Sequence, residues 1–154
     1  MSITVRAQNI MLIQNAKRLN EQYHIYAAHC GLSDPAFSIL YTLHYTEETV
    51  TQNELAVMWC YPKQTINFAV SGLVKKGYVR LEQLLGARNS KAVRLTEEGR
   101  SACREILGPL TEAEERSLLM LTEQEREMLV MLEEKQCGCF GEELKKIMRE
   151  NDKK

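Results

Sequence analysis

The sequence predicts a mainly α-helical fold with one small β-hairpin, in a single chain of 154 residues. Three observations carry this prediction. Apolar residues recur every three or four positions over long stretches. Two Thr-x-x-Glu capping boxes, beginning at Thr51 and Thr122, are typical of helix starts. Two short segments alternate apolar and charged residues, as the strands of a half-buried hairpin do. With 44% apolar and 27% charged residues, the chain can build a core without disulfides or metal.

The first predicted helix covers residues 4–30. A row of positions recurs along it at alternating steps of four and three, and Asn9 is its one polar member. A row with this 3.5-residue period favours packing against another helix, in the same or another chain. Gly31 then supplies the left-handed residue that commonly ends a helix. The row consists of Val5, Asn9, Leu12, Ala16, Leu19, Tyr23, Tyr26 and Cys30.

Three further helices are predicted between residues 33 and 77. Ser33 as N-cap opens the first, which carries Phe37, Leu40, Tyr41 and Leu43. The second is short and runs from the Thr51 capping box to about Trp59. The third covers residues 62–76, between Pro62 and Gly77. Its predicted buried stripe is Ile66, Val70, Leu73 and Val74. Its opposite face carries Gln64, Asn67, Ser71 and Lys75, with Lys63 and Thr65 in the first turn.

The predicted hairpin strands are residues 78–82 and 92–95, and their link carries Arg88 and Lys91 near its tip. Thr96 can cap a following helix, which the dipeptide at 108–109, Gly-Pro, should kink or break. A last helix starts at the Thr122 capping box, with a hitch at Gly138. Its apolar stripe is predicted to bury Met128, Leu129 and Leu132, and to continue through Phe140, Leu144, Ile147 and Met148.

The net charge of −1 conceals an uneven distribution along the chain. Residues 51–104 carry nine basic and four acidic side chains, a net charge of +5. Residues 105–154 carry eight basic and thirteen acidic side chains, a net charge of −5, and residues 1–50 have a net charge of −1. A basic middle segment of this kind favours contact with a polyanion.

A helix, a turn, a polar-faced helix and a hairpin with a basic tip follow the order of a winged helix-turn-helix. Such a helix fits the major groove of DNA, where Gln64 and Asn67 can pair with adenine edges. Its N-terminal amides favour phosphate, and Arg88 or Lys91 can reach the backbone or minor groove. The alternative is a winged-helix module that binds protein and has no specific contact with DNA.

Five stretches of the sequence form a recognisable set of motifs. The most specific is Leu-Thr-Glu-Glu-Gly at 95–99, within the longer stretch Val-Arg-Leu-Thr-Glu-Glu-Gly-Arg at 93–100. The others are Asn-Glu-Leu-Ala at 53–56, Pro-Lys-Gln-Thr-Ile-Asn at 62–67, Leu-Val-Lys-Lys-Gly-Tyr-Val at 73–79 and Leu-Thr-Glu-Gln-Glu-Arg at 121–126. With these motifs the chain resembles the multiple-antibiotic-resistance regulator (MarR) family over nearly its whole length.

The sequence departs from the family pattern in the wing and on the recognition helix. In the wing, Ala87-Arg88-Asn89 aligns with the family's Asp-x-Arg, so the Asp is absent and the Arg is missing or displaced to Arg88, and Leu84-Leu85 stand where polar residues are usual. On the helix, Phe68 stands where an arginine is frequent.

The resemblance implies a homodimeric, cytoplasmic transcription factor, a repressor by family default, on a near-palindromic operator in double-stranded DNA. Residues 1–32 and 103–154 would supply the dimerisation helices, and residues 33–102 the winged DNA-binding lobe. A small-molecule or oxidant effector is also implied, with His24, Tyr41 and Tyr45 as candidate pocket residues. The expected DNA-binding residues are Lys63, Gln64, Thr65, Asn67, Ser71, Lys75, Arg88 and Lys91.

Other classes of function have little support in the sequence. The Cys137-Gly138-Cys139 pair lacks neighbouring ligands, so we expect no metal and no cofactor. The five cysteines are odd in number and scattered, which suits a reducing cytoplasm better than a disulfide framework. No catalytic triad, phosphate loop or dinucleotide fingerprint is present, so we expect no enzyme. No apolar run is long enough for a membrane span, and the N-terminus lacks the apolar core of a signal peptide.

Overall fold

A computed structural model describes residues 3–84 and 91–151 and confirms the mainly helical fold with a β-hairpin. In this part of the chain six helices and three short strands follow one another. They are α1 (Val5–His29), α2 (Asp34–Tyr45), β1 (Val50–Thr51), α3 (Gln52–Met58), α4 (Lys63–Lys75), β2 (Val79–Gln83), β3 (Lys91–Leu95), α5 (Glu97–Leu119) and α6 (Glu123–Asn151). No helix among the described residues is both long and apolar enough to cross a membrane.

The helix ends follow the predicted capping residues. Both capping boxes are closed: Thr51 Oγ1 accepts from the Glu54 amide, and the Glu54 carboxylate accepts from the Thr51 amide at 2.7 Å. Thr122 and Glu125 repeat this exchange at the start of α6. Gly31, with φ of 68°, ends α1 in the left-handed conformation. Ser33 occupies the N-cap of α2 without a side-chain hydrogen bond.

The hairpin belongs to a three-stranded antiparallel sheet of order β1-β3-β2. Its two long strands pair from Val79 opposite Leu95 to Gln83 opposite Lys91. The third strand, β1, pairs Val50 with Val93 and was not predicted from the sequence. Its two residues are too few for an alternating pattern, and only the long-range pairing with β3 makes them a strand.

A tight joint connects β3 to α5 and fixes the base of the hairpin. Thr96 Oγ1 accepts a hydrogen bond from the Gly99 amide at 3.0 Å and donates to the Gly77 carbonyl. The Thr96 amide donates to the Tyr78 carbonyl at 3.0 Å. A Cβ on Gly99 would lie 1.9 Å from that same oxygen. The Leu-Thr-Glu-Glu-Gly motif therefore has a structural role: Thr96 caps α5, and Gly99 leaves room for the Tyr78 carbonyl at the start of β2.

The chain divides into two compact units, residues 1–108 and residues 109–154. The first contains every described residue that is buried. On α4 the predicted stripe is confirmed at Ile66, Val70 and Leu73, whereas Val74 is 42% exposed. The buried arc of α4 is centred between Ile66 and Leu73, so Ala69 occupies it and Val74 falls at its margin. The largest fully buried side chains are Ile39, Leu40, Leu55, Ile66, Leu73, Leu107, Val70, Val93 and Cys103.

Neither predicted helix interruption is a break in the structure. Helix α5 includes Pro109 in its interior, so the Gly-Pro dipeptide at 108–109 does not break it. Proline removes one intrahelical hydrogen bond, and the long helical stretches on both sides supply the remaining ones. Helix α6 likewise continues through Gly138, which has ordinary helical backbone geometry. A single glycine lowers helix propensity by only about 1 kcal/mol, too little to end a helix of 29 residues.

The predicted burial of Met128, Leu129 and Leu132 on α6 is also wrong for the single chain. These side chains are half exposed, and no described residue of 109–150 is buried. The apolar row of α1 behaves in two ways. Its C-terminal members Tyr23 and Tyr26 are half-buried, whereas its N-terminal members are exposed. The stripe of α6 lies uncovered because its own unit offers no second layer.

Candidate nucleic-acid interface and aromatic cavity

Helix α4 separates a buried apolar face from an exposed polar face. It packs against α2, α3 and β2 through the stripe centred on Ile66 and Leu73. Because an α-helix turns 100° per residue, positions 64, 67, 71 and 75 point away from that stripe. All four side chains are exposed, as is Lys63 at the first helical position. The structure therefore brings these five predicted residues, Lys63, Gln64, Asn67, Ser71 and Lys75, to one surface.

The N-terminus of α4 is open. Its N-cap is Pro62, whose side chain makes no capping bond, and the first intrahelical bonds are those of Thr65 and Ile66 to the Pro62 carbonyl. The amides of Lys63 and Gln64 therefore point out of the helix without an intrahelical acceptor. Together with the Lys63 ammonium, they give this end of α4 a positive potential. An anion such as a phosphate is favoured there.

The polar side chains of this face differ in the hydrogen bonds that they can still make. Ser71 Oγ donates to the Asn67 carbonyl at 2.8 Å, which leaves the hydroxyl as an acceptor. The Gln64 and Asn67 side chains bond to no other residue in the described ranges, so each offers both a donor and an acceptor. Thr65 is half-buried at the margin of the face, apart from the others.

The hairpin supplies one described basic residue. Lys91 is exposed at the first position of β3, opposite Gln83 on β2. The other predicted wing residue, Arg88, belongs to the segment 85–90, which lies outside the described residues.

A cavity of about 450 Å³ lies between α1, α2 and the turn that precedes α4. Its walls are largely aromatic, with a few polar groups. Of the three candidate pocket residues, His24 and Tyr41 line this cavity. The Tyr45 ring contacts the Tyr41 ring, with centroids 4.8 Å apart and planes tilted by 56°, and is not part of the lining. The lining residues are Asn20, Tyr23, His24, Asp34, Phe37, Ser38, Tyr41, Trp59 and Tyr61.

Hydrogen bonds tie this cavity to the turn between α3 and α4. Trp59 Nε1 donates to Thr42 Oγ1 at 2.8 Å, and Thr42 Oγ1 donates to the Ser38 carbonyl at 2.9 Å. The Tyr41 ring meets the Trp59 ring edge-on at 6.3 Å. Two residues beyond Trp59 the chain reaches Tyr61, which also lines the cavity, and α4 begins at Lys63. A molecule in the cavity would therefore touch the segment that positions α4.

Polar groups lie on the α1 side of the cavity. His24 Nδ1 is 2.9 Å from the Asp34 carboxylate, which joins α1 to the start of α2. Farther along α1, the Tyr26 hydroxyl donates a hydrogen bond to the Ile106 carbonyl at 2.7 Å, which joins α1 to α5. Burial raises the pKa of Tyr26, so the hydroxyl keeps its proton and remains a donor.

A second cavity, of about 400 Å³, is lined by four arginines: Arg80, Arg94, Arg100 and Arg104. Much of their charge is already compensated. Arg94 approaches Glu82 at 3.3 Å, and Arg100 approaches Glu97 at 2.6 Å. The hydrogen bond from Arg100 lowers the pKa of Glu97, which keeps that carboxylate ionised. This cavity has none of the aromatic walls of the first.

The cysteines do not form a site. Within the ranges 3–84 and 91–151, no three His, Cys, Asp or Glu side chains are placed to hold a metal. Cys103 is buried between α5 and α2, and burial raises its pKa to about 11. Cys60, Cys137 and Cys139 are exposed thiols.

Sequence reasoning missed four aromatic members of the cavity wall, Tyr23, Phe37, Trp59 and Tyr61, and one exposed aromatic residue on α4. Trp59, Phe37 and Tyr61 line the cavity because α2 and the turn after α3 meet there, and no local pattern indicates that meeting. Phe68 stands on the polar face of α4, and its spacing of four residues from Gln64 places it there.

Comparisons with known proteins agree with this architecture. Residues 31–86 match the model of the MarR family. A MarR family regulator from Neisseria meningitidis is 21% identical, with a TM-score of 0.74 over 94% of this chain and 98% of that one. The complex of S. aureus MepR with DNA is 14% identical, with a TM-score of 0.70 over 90% of this chain and 99% of that one. NadR in complex with 4-hydroxyphenylacetate is 21% identical, with a TM-score of 0.70 over 90% and 97%. At these identities the three structures establish the fold. No curated protein sequence matches the chain.

Proposed function

We propose that the chain is a DNA-binding transcriptional regulator of the MarR family, whose model matches residues 31–86, and that it represses transcription as a homodimer on one near-palindromic operator. The polar face of α4 is the observation that carries this proposal. An exposed helix face with free amide side chains and an open, positive N-terminus has the shape and chemistry of a major-groove reader. The MepR–DNA complex, with the same fold, supports this placement.

The proposed roles of the residues follow from the groups that each presents. Gln64 and Asn67 can each form two hydrogen bonds with the edge of an adenine, so we assign them to base readout. Ser71 would accept a hydrogen bond from a base amino group. The phosphate contacts would come from Lys63, Thr65, Lys75, Arg88 and Lys91.

Dimerisation is proposed through residues 1–32 and 103–154, with residues 33–102 as the DNA-binding lobe. The exposed apolar side chains of α6 and of the first half of α1 support this assignment. Monomers rarely leave such long apolar stripes in water, and a second copy would cover them. Two lobes in one dimer would then meet half-sites about one helical turn, roughly 34–36 Å, apart.

We assign the aromatic cavity to an effector that relieves repression. Its aromatic walls suit a planar ring, and the His24–Asp34 pair and Ser38 offer polar partners for a ring substituent. The NadR structure contains 4-hydroxyphenylacetate, which supports a phenolic carboxylate as the first ligand class to try. An oxidant acting on the exposed thiols Cys60, Cys137 or Cys139 is the second class.

Fluorescence anisotropy on promoter fragments at two salt concentrations tests the DNA-binding proposal. We expect one fragment to bind far more tightly than random DNA. Gln64→Ala should cost about 1–3 kcal/mol on that fragment and little on random DNA. Lys91→Ala should weaken both, and should lower the salt slope by about 0.9 for each phosphate that the variant no longer neutralises. Equal, weak binding to every fragment would favour the alternative, a winged-helix module that binds protein.

The single tryptophan makes the effector proposal directly measurable. The chain has one Trp, and Trp59 lines the cavity. Titration with 4-hydroxyphenylacetate should quench its fluorescence and weaken operator binding over the same concentration range. Tyr41→Ala, at the cavity wall, should abolish both effects, and Tyr45→Ala, behind the wall, should preserve the quenching. If phenolic carboxylates and peroxide both leave fluorescence and operator affinity unchanged, regulation by an effector is excluded for these classes.

A further inference from the structure

Phe68 has an unusual position for an aromatic residue. Its side chain is 84% exposed, whereas Phe37 in the core is 5% exposed and Phe140 on α6 is 57% exposed. It lies in the middle of α4, on the face opposite the buried stripe. An exposed phenylalanine contributes nothing to the core of this unit, so its ring is free for an intermolecular contact.

The neighbours of Phe68 define the kind of partner that its ring can meet. Gln64, Phe68, Ser71 and Lys75 are spaced i, i+4, i+7 and i+11, so they form one row along the exposed face. Any surface that lies against Gln64 and Ser71 must also cover the ring between them. The partner must therefore present hydrogen-bonding edges and an apolar group within a few ångströms of each other.

In the major groove of DNA, the C5-methyl group of thymine is such an apolar group. It lies beside the O4 acceptor of thymine and near the N6 amino group of the paired adenine. We propose that Phe68 packs on a thymine methyl and thereby specifies thymine at one position in each half-site. The inference rests on the proposed function and adds an apolar contact to the hydrogen-bonding residues assigned above.

The charges around Phe68 favour DNA over a protein as the partner. Lys75 lies on the same face, Lys63 is exposed in the first turn of α4, and the N-terminus of the helix adds the positive end of its dipole. Residues 51–104 as a whole carry a net charge of +5. A groove lined with phosphates complements this surface, and the ring supplies the apolar contact that the lysines cannot make.

Thymine-to-uracil substitution in the DNA tests the proposal, because it removes the methyl group and preserves base pairing. The operator is the tightest-binding promoter fragment, with each thymine of the half-sites replaced in turn. At one position, uracil should weaken binding by about fourfold in one half-site and about fifteenfold in both, the loss expected for one buried methyl per half-site. Phe68→Ala should weaken binding to the thymine operator and be insensitive to uracil at that position. Phe68→Leu should keep part of the sensitivity.

Lys75→Ala is the matched control, since it lies on the same face and contacts phosphate in the proposed arrangement. It should weaken binding to the thymine and uracil operators by the same factor. If no uracil substitution affects the wild-type protein while Gln64→Ala still loses sequence preference, the assignment of Phe68 is overturned and the proposed function stands. If Phe68→Ala binds DNA normally but alters the oligomeric state, the ring contacts protein and the assignment is overturned. If no fragment is preferred over random DNA, the proposed function itself fails.

Discussion

Residues 1–108 and residues 109–154 use their apolar residues in opposite ways. The first unit surrounds Ile39, Leu40 and Leu55 with helices and a sheet until they have no exposed surface. The second unit, in its described residues up to 150, buries no side chain, although α6 carries a regular apolar stripe. The first unit therefore has a core of its own, and the second leaves its apolar stripe exposed in the single chain.

The difference shows what an amphipathic pattern establishes. Periodicity tells which side chains of a helix lie on one face, and it predicts that the face will be covered. The cover can be another element of the same chain, as for α4, or a second chain, as we propose for α6. The predictions below test this contrast between the two units, from the largest expected effect to the smallest.

The reactivity of cysteine thiols should differ most between the units. At pH 8 a variant that keeps only Cys103 should react with a disulfide reagent at least a thousandfold more slowly than a variant that keeps only Cys139. Cys103 is buried, and its pKa of about 11 leaves little thiolate, whereas Cys139 is exposed. The measurement is the release of thionitrobenzoate over time, and both variants should react fully in denaturant. Equal rates would show that the first unit opens readily.

The same thiol predicts a pH dependence of stability. The pKa of Cys103 is raised from 9.0 to about 11, so the folded state holds a proton that the unfolded chain releases. Stability from this group is therefore complete below pH 9 and is lost as the pH rises toward 11. Urea unfolding at pH 8 and pH 10 should show a larger loss for the wild type than for Cys103→Ala. A loss of the same size in both would contradict the assignment.

Substitution of glycine should have opposite signs in the two units. Gly99→Ala should destabilise the first unit by about 3 kcal/mol, because the new Cβ would clash with the Tyr78 carbonyl. Gly138→Ala is the control in the second unit, where nothing lies within 4 Å of the added Cβ. It should stabilise α6 by up to about 1 kcal/mol through helix propensity. Urea unfolding curves measure both changes, and a destabilising Gly138→Ala would place a partner against that position.

A charge on the α6 stripe should separate the protomers and leave each fold intact. Leu132→Glu removes a half-exposed leucine from each side of the proposed interface, a loss of about 2 kcal/mol or thirtyfold in dimer affinity. Sedimentation at micromolar concentration should shift from about twice 17.7 kDa toward 17.7 kDa. Glu133→Gln is the control and should leave the dimer unchanged. A wild-type protein that already sediments at 17.7 kDa would refute dimerisation.

The two capping boxes allow the smallest and most closely matched test. Thr51→Ala and Thr122→Ala each remove the two hydrogen bonds of the threonine hydroxyl and keep that of the backbone amide, at a cost of about 1 kcal/mol of helix stability. In the first unit that loss should appear in the global unfolding curve. In the second it should appear as faster amide exchange in the first turn of α6. A global effect of the same size from both variants would show that the units unfold together.

Lowering the pH should destabilise both capping boxes. Hydrogen bonds from the threonines lower the pKa of Glu54 and of Glu125. A lowered pKa means that the boxes contribute stability above the ordinary pKa of glutamate and lose it as the pH falls through the lowered value. Glu54→Gln should therefore be destabilising at pH 7 and nearly neutral below pH 3. An effect that is the same at both pH values would show that the carboxylate charge has no role.

The elements that the sequence predicted correctly depend on local interactions. A capping box, a left-handed glycine and an alternating strand pair are each decided within a few residues, so Thr51, Gly31 and the β2–β3 hairpin were predicted. Strand β1 depends on pairing with Val93, more than forty residues away, and was missed. The breaks expected at Pro109 and Gly138 are local penalties that longer helices overcome.

The residues of the candidate site also fall into those predictable from local spacing and those that depend on long-range contacts. The polar face of α4 follows from spacing along one helix, and the structure brings Gln64, Asn67 and Ser71 together there. The cavity depends on how α1, α2 and the turn after α3 meet, so Trp59 was missed, and Tyr45, a candidate pocket residue, contacts Tyr41 without being part of the lining. Distances between elements far apart in the sequence were the missing information.

The contact between Gly99 and the Tyr78 carbonyl shows that a sequence motif can identify a fold without indicating an activity. Only glycine fits against the Tyr78 carbonyl, so this position serves the fold whatever the outer face of α4 contacts. The side chains on that outer face, such as Gln64 and Phe68, are exposed. Substitutions there can therefore change what the helix contacts without a cost to the architecture.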